Sequence, residues 1–264
     1  MTLQRRDPNG DKMNNDYDIV SDLYDVYVQF DFDIHFYLNR YSDFDGKALE
    51  LMAGTGRLSI PLLKNNVSLD CVDLSRGLLN RLHQKLIVNN LKSNLFCRDI
   101  CTLDLPDKYD LVIIGCNSFA EITEKNDRNK VIRSVYGLLN NKGELIITLH
   151  NPPVRRKSID SGIIHVNDYK TDDKIISFSI TSQEDPDAVV HLKQFYEIYD
   201  NNGCMVEKRM IDLNFALLSR NEIEQELVME GFEIKEVFGN FDNSKFNDSD
   251  SQYIIIVASK GLRH

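Results

Sequence analysis

The first 150 residues alternate short apolar runs with amphipathic segments, and this alternation constrains the fold more than any other feature of the chain. It predicts strands at 47–54, 68–74, 94–99, 109–116 and 143–150, separated by helices at 57–66, 76–90 and 127–139. Helical crossovers of this length join parallel strands. The sequence therefore predicts the α/β class with a doubly wound, mostly parallel sheet, whose ligand binds at the carboxyl ends of the strands.

Local signals set the ends of several of these elements. Ser75 and Asp127 are candidate N-caps for the helices that follow them. Ser219-x-x-Glu222 is a capping-box pattern, which predicts a helix that runs to Gly231. Residues 17–41 carry apolar side chains at roughly helical spacing, so we expect a helical segment ahead of the first strand.

The pattern changes after Pro153. Residues 161–215 alternate apolar and polar side chains with turn residues between the runs, which is typical of antiparallel strands. Two further strand-like runs close the chain. We therefore expect a flexible tail at 1–16, a core formed by 17–152 and 216–264, and an antiparallel β insertion at 153–215 that covers the substrate as a lid.

The charge balance narrows the choice of partners. Acidic residues exceed basic ones by 41 to 31, for a net charge of −10. Phosphate binding depends on Lys and Arg, so we expect no nucleic-acid partner and a neutral or cationic ligand. No apolar run reaches the roughly 18–20 residues that span a bilayer. Without a membrane partner or a secretion signal, we expect a cytoplasmic protein.

The turn after the first predicted strand carries the most specific chemistry. Gly54-Thr55-Gly56 lets the backbone pass close to a ligand. Asp73 ends the second strand, where a carboxylate can accept hydrogen bonds from both ribose hydroxyls. Asp99 ends the third strand, where it can accept from an adenine amino group while Ile100 stacks on the ring. A nicotinamide dinucleotide is disfavoured because Ser59 replaces the third glycine of that fingerprint.

Four successive segments, LELMAGTGR, VDLS, RDI and DLVIIGCNSF, resemble the motifs of the class I S-adenosylmethionine-dependent methyltransferases. The resemblance runs from about residue 16 to the C-terminus. It implies a Rossmann-like sheet of seven strands with the last strand antiparallel, S-adenosylmethionine as cofactor and S-adenosylhomocysteine as product. The implied cofactor-binding residues are Glu50, Met52, Ala53, Gly54 and Gly56 for the methionine portion, Asp73 and Leu74 at the ribose, Asp99 and Ile100 at the adenine, and Cys116 after the fourth strand.

The segment YDIVSDLYDVY resembles the Tyr-Asp helix of a subgroup that carries a β insertion. That subgroup acts on amino sugars, glycine-like amines and peptide amino termini. The resemblance implies that Tyr17 or Tyr24 reaches the cofactor and that Arg40 pairs with its carboxylate. Packing of an amphipathic helix is the alternative for each tyrosine.

Methyl transfer from a sulfonium mainly requires that acceptor, methyl and sulfur be held in line. An amine acceptor needs no strong base, whereas a hydroxyl needs a positioned base or a metal. His150, at the end of the fifth strand, is the candidate proton acceptor, and Asn117 is a candidate orienting residue. We find no metal-binding pattern. The candidate acceptor-side residues are Asp31, Asp33 and Asp160 for a cationic acceptor, and Phe119, whose aromatic face can stabilise the sulfonium charge.

The run Asn151-Pro152-Pro153 resembles a turn found in methyltransferases that act on base amino groups. In those enzymes the turn follows the fourth strand and precedes an aromatic residue. Here it follows the fifth strand and precedes Val154, so we interpret it as a rigid exit from the sheet. The sequence thus predicts methylation of an amine of a small molecule or peptide. O-methylation and a non-catalytic cofactor-binding protein remain alternatives, and the oligomeric state stays open.

Overall fold

The computed structural model describes residues 16–261, so the predicted tail lies outside the described residues apart from Asp16. The strands are β1 Lys47–Leu51, β2 Ser68–Asp73, β3 Leu95–Cys97, β4 Tyr109–Ile114, β5 Leu139–His150, β6 Ile164–Lys170, β7 Lys174–Glu184, β8 Val189–Asp200, β9 Met205–Ala216, β10 Phe232–Phe238 and β11 Tyr253–Lys260. The α-helices are α1 Tyr24–Tyr27, α2 Ile34–Arg40, α3 Ser59–Lys64, α4 Arg76–Val88, α5 Lys125–Leu138, α6 Pro152–Arg155 and α7 Arg220–Met229. Short 3₁₀ turns cover Tyr17–Val20, Ile100–Thr102, Ser118–Glu121 and Arg156–Ser158. Between residues 16 and 261 no helix is both long and apolar enough to cross a membrane.

The main sheet has seven strands in the order β10-β11-β5-β4-β1-β2-β3. The five strands from β1 to β5 pair in parallel, whereas β11 pairs antiparallel with both β5 and β10. This confirms the predicted doubly wound, mostly parallel sheet. The chain winds in opposite directions from β1 and β4, which makes their carboxyl ends the switch point where ligands bind in such sheets.

Alternate side chains of each central strand enter two separate cores, as expected for a sheet covered on both faces. In β4, Leu111 and Ile113 face one core, while Val112 and Ile114 face the other. Helices α2, α3 and α4 cover the first face, and α5 and α7 cover the second. Burial on both sides explains why these strands read as continuous apolar runs rather than alternating ones.

The predicted antiparallel insertion is present as a second sheet with the strand order β6-β7-β8-β9. Its inner face carries Phe178, Tyr196 and Ile211 into the same core that underlies α5 and α7. Arg209 of β9 also pairs with Asp22 and donates to a backbone carbonyl of the Tyr17–Val20 turn. The insertion therefore braces the N-terminal segment.

The prediction of one helical segment at 17–41 is wrong. A 3₁₀ turn, the short helix α1 and helix α2 follow one another there, with non-helical chain from Val28 to Asp33. The acidic side chains of this segment bond to other elements instead of supporting a helix. Asp18 accepts from the N–H of Gly77, and Asp25 accepts from Lys85. These tertiary bonds outweigh the local helical preference.

Several element ends also differ from the prediction. Asp127 does not cap α5, because the helix begins at Lys125 and Asp127 pairs with Lys130 inside the first turn. The cap at Ser75 is confirmed, since its hydroxyl accepts from the N–H of Leu78 at 3.1 Å. The capping box Ser219–Glu222 is confirmed as well.

Gly56 illustrates how tightly the first turn packs on helix α4. Its φ is +80°, and a Cβ atom there would lie 2.3 Å from Cδ1 of Leu82. We predict that Gly56→Ala lowers the free energy of unfolding by about 2–3 kcal/mol, through backbone strain and overpacking. Gly137→Ala is the matched control, because no atom lies within 4 Å of that Cβ position in α5. It should be neutral or stabilising by up to about 1 kcal/mol, and urea titration of both variants measures the difference.

Candidate functional site

A groove lies over the carboxyl ends of β1, β2, β3 and β4, at the switch point of the sheet. It has a larger part of about 230 Å³ and a smaller, adjoining part. Four residues line both parts: Tyr24, Met52, Gly54 and Ser118. In the described chain, the lining residues of both parts come from Asp16 to Ile122. The insertion strands do not line either part, so their role as a substrate lid stays a prediction.

Asp73 fixes the turn at the centre of the groove. Its Oδ2 accepts from the N–H of Gly54 at 2.7 Å, and its Oδ1 accepts from the N–H of Ser75 at 2.8 Å. The carboxyl is buried, and this burial raises its pKa. Each carboxylate oxygen can accept a second hydrogen bond. Asp73 lines the larger part and is therefore able to receive a pair of hydroxyls there.

The larger part continues toward the end of β3. Asp99 lines it, with Oδ1 accepting from the N–H of Cys101 at 2.8 Å, and Leu74 and Ile100 provide apolar surface. These residues lie together as the sequence predicted. The prediction missed other residues that line this part, namely Asp16, Ser75, Leu78, Arg98, Cys101, Ser118, Glu121 and Ile122.

Two tyrosines of the N-terminal segment close one side of the groove. Tyr17 donates to Oε1 of Glu121 at 2.9 Å, which joins the first 3₁₀ turn to the turn after β4. The Tyr24 ring packs edge-on against Tyr17 at 5.8 Å and reaches both parts of the groove. Burial holds the pKa of both phenols well above 10, so both stay protonated at neutral pH. Both predicted residues therefore lie at the site.

Glu50 lines the smaller part, together with Ala53 and Cys116. The Glu50 side chain is buried and accepts from the hydroxyl of Ser59. Burial raises the pKa of its carboxyl to about 7. Gly56 does not line the groove, and its role is the close approach to α4.

The arginine of the smaller part is Arg57, whereas the sequence suggested Arg40 as the partner of the cofactor carboxylate. Arg57 lines the smaller part and forms a two-pronged ion pair with the buried Asp33, with N–O distances of 2.5 and 2.7 Å. Arg40 pairs with Glu236 and lies near Glu144, which is next to the amino end of β4 and hence at the opposite edge of the sheet. The Arg40 assignment is wrong for this reason. Asp33 is buried in this ion pair and does not line the groove, so its role toward the acceptor stays a prediction.

The two predicted catalytic residues lie beside the groove and do not line it. Asn117 adopts φ +61°, and its amide oxygen accepts from the N–H of His150 at 2.8 Å. The His150 ring packs against Tyr253 at a centroid distance of 5.7 Å, and its Nδ1 is buried without a hydrogen-bond partner. Burial, assisted by the charge of Arg155, lowers the His150 pKa to about 4. The imidazole is therefore neutral under ordinary conditions, and its catalytic role stays a prediction.

The remaining acceptor-side candidates lie away from the groove. Phe119 is fully buried in the core, so its assignment to the acceptor is wrong. Asp160 forms a turn by accepting from the N–H of Gly162 at 2.7 Å. Asp31 is exposed in the loop before α2. The side chain of Asn151 donates to two backbone carbonyls, those of Asp248 and Ser251, which accounts for this residue as part of the exit from the sheet.

Comparison with known proteins matches residues 48–143 to the family model described as "Methyltransferase domain". Over these residues the chain is similar to methyltransferase domains. Its segment of 110 residues is 32% identical to the "Putative methyltransferase YqeM" of Bacillus subtilis (strain 168), over 40% of this chain and 43% of that protein. The chain thus spans less than half the length of this relative.

Solved structures share the fold over nearly the whole chain. An S-adenosylmethionine-dependent methyltransferase from Clostridium acetobutylicum ATCC 824 superposes with a TM-score of 0.77 at 20% identity, covering 94% of this chain and 100% of that one. The sugar N-methyltransferase KedS8 from Streptoalloteichus sp ATCC 53650 gives a TM-score of 0.75 at 17% identity, covering 99% of each chain. The methyltransferase fold therefore includes the insertion and the last two strands.

The buried Glu50 leads us to predict that the stability of the protein depends on pH. Its pKa is about 7 in the folded state against 4.5 ordinarily, so the folded protein holds this proton more tightly than the unfolded one. Stability from Glu50 is therefore complete below about pH 4.5 and is lost as pH rises through about 7. Between pH 5 and 8 the free energy of unfolding should fall by about 2–3 kcal/mol more in the wild type than in Glu50→Gln. Parallel pH slopes in urea titrations of the two proteins would contradict the assignment.

Proposed function

We propose that the protein is an S-adenosylmethionine-dependent methyltransferase that transfers a methyl group to an amine of a small molecule or peptide. The observation that carries the proposal is the groove at the switch point, with Asp73 anchored under the Gly54 turn and Asp99 at the next strand end. When bound, the cofactor supplies an activated methyl group on a sulfonium. The residues that line the two parts of the groove fit this cofactor along its whole length.

The nucleoside would occupy the larger part of the groove. Asp73 would accept from the two ribose hydroxyls, and Asp99 would accept from the adenine amino group, with Ile100 against the ring. The methionine portion would enter the smaller part, where Glu50 can accept from its ammonium and Arg57 adds positive charge near its carboxylate. The acidic lining suits a cationic sulfonium and disfavours phosphorylated nucleotides.

An amine acceptor is supported by the residues around the groove. O-methylation requires a base that removes a hydroxyl proton. Tyr17 and Tyr24 stay protonated and His150 does not line the groove, so neither the phenols nor the imidazole supplies that base. A neutral amine needs none of these groups, because its lone pair attacks directly. The structural similarity to KedS8, a sugar N-methyltransferase, is in line with this choice.

Calorimetric titration tests the cofactor half of the proposal. We expect S-adenosylhomocysteine to bind the wild type with a dissociation constant in the micromolar range, and Asp73→Asn to raise it about tenfold or more, as expected for lost hydrogen bonds to a charged acceptor. Asp187→Asn, an identical charge change in an exposed turn of the insertion, should leave it unchanged. Unaltered affinity in Asp73→Asn, with the fold intact, would refute the ribose assignment.

The transfer itself is tested with S-adenosylmethionine labelled in the methyl group. Incubation with matched panels of small amines, peptides with free amino termini and small alcohols, followed by mass spectrometry, should show label only in the amines. Label in alcohols alone would favour O-methylation, and no transfer to any metabolite of a cell extract despite cofactor binding would favour a non-catalytic protein.

A further inference from the structure

We propose that Glu121 is the acceptor-binding residue. The acceptor is a primary or secondary amine whose N–H groups donate hydrogen bonds to the Glu121 carboxylate. This inference rests on the proposed function and names the chemistry of its acceptor side. The carboxylate belongs to the turn Ser118–Glu121, which follows β4. None of the residues that the sequence suggested for the acceptor lines the groove, whereas Glu121 does.

The geometry of the 3₁₀ turn aims Glu121 at the reacting end of the cofactor. Side chains three residues apart eclipse one another in a 3₁₀ helix, so Ser118 and Glu121 project in the same direction. Ser118 lines both parts of the groove and hence marks their junction. In the proposed orientation, the sulfonium joins the nucleoside to the methionine portion and must lie at this junction. Glu121 therefore stands beside the position of the transferred methyl.

The partner of Glu121 also distinguishes it from Asp73 and Asp99. Asp73 and Asp99 accept from backbone N–H groups and help to hold local structure. Glu121 accepts from the phenol of Tyr17, a side chain of a separate segment. Such a bond can rearrange to admit an N–H donor while the backbone stays in place. Strand β9 of the insertion packs on the same turn.

The chemistry of transfer makes a carboxylate useful at this position. The lone pair of the amine nitrogen forms the new N–C bond while the C–S bond breaks, and the electron pair of that bond stays on sulfur. Positive charge thus passes from sulfur to nitrogen, and the extra proton leaves the nitrogen to solvent. A carboxylate that accepts from the N–H groups holds the lone pair toward the methyl and stabilises the charge as it arrives.

A cofactor analogue tests the assignment without knowledge of the natural acceptor. In sinefungin a carbon bearing an amino group replaces the methylsulfonium, so a protonated amine lies where the methyl would be. S-adenosylhomocysteine lacks this group. We expect Glu121→Gln to weaken sinefungin about tenfold or more, the scale of one charge-assisted hydrogen bond, and to change S-adenosylhomocysteine affinity less than about threefold.

Two further variants make the titration decisive. Glu124→Gln makes the same charge change at an exposed position three residues later and should leave both affinities unchanged. Tyr17→Phe removes the phenol that bonds to Glu121 and should preserve the ratio of the two affinities. The inference is overturned if Glu121→Gln leaves that ratio unchanged. It is also overturned if Tyr17→Phe lowers the ratio equally, since Glu121 would then act only by holding Tyr17 in place. Failure of the proposed function looks different, because the wild type would bind neither ligand.

Discussion

The hydrogen bond from the N–H of Gly54 to the carboxylate of Asp73 is the contact on which the site depends. It ties the turn after β1 to the end of β2 at the switch point of the sheet. The turn needs left-handed backbone at Met52, Gly54 and Gly56, so the chain here is shaped by its tertiary partners. Asp73 is the anchor of this turn and also the residue that we propose to accept from the ribose. Structure and binding thus share one side chain.

The N-terminal segment is the second element that makes the groove a site. Its carboxylates reach three different parts of the molecule: Asp18 accepts from an N–H at the start of α4, Asp22 pairs with the insertion, and Asp33 pairs with Arg57. Most of these groups are partly exposed, so each ion pair contributes little by itself. Together they set the position of Tyr17 and Tyr24, which close one side of the groove. Because Arg209 of β9 holds this N-terminal segment in place, the insertion matters to the site although its strands do not line the groove.

Much of the fold could be predicted because its signals are local. Apolar runs buried on both faces, the Ser75 cap and the Ser219 capping box each determine their own element. The acids at the ends of β2 and β3 could be placed for the same reason, since parallel strands bring their carboxyl ends to one edge. The family model matches this same part of the chain, from residue 48 to residue 143.

The acceptor side could not be predicted in the same way. Arg40 and Arg57 each form an ion pair with a carboxylate, so charge alone does not distinguish them. Only the packing of α2 and α3 decides which arginine reaches the groove. Phe119 follows a strand in the sequence, yet it is fully buried in the core that also holds residues of the insertion and α5. The one usable signal for Glu121 was its three-residue spacing from Ser118, which has meaning only once the 3₁₀ turn is known.

A crystal structure of the protein with S-adenosylhomocysteine tests the central claim most directly. We expect density for the adenosine between Asp73 and Asp99, with the ribose hydroxyls on the Asp73 carboxylate, and density for the amino-acid tail between Glu50 and Arg57. The sulfur should lie at the junction marked by Ser118, within reach of Glu121. Density for the nucleoside anywhere else, or a reversed orientation with the tail at Asp99, would contradict the account.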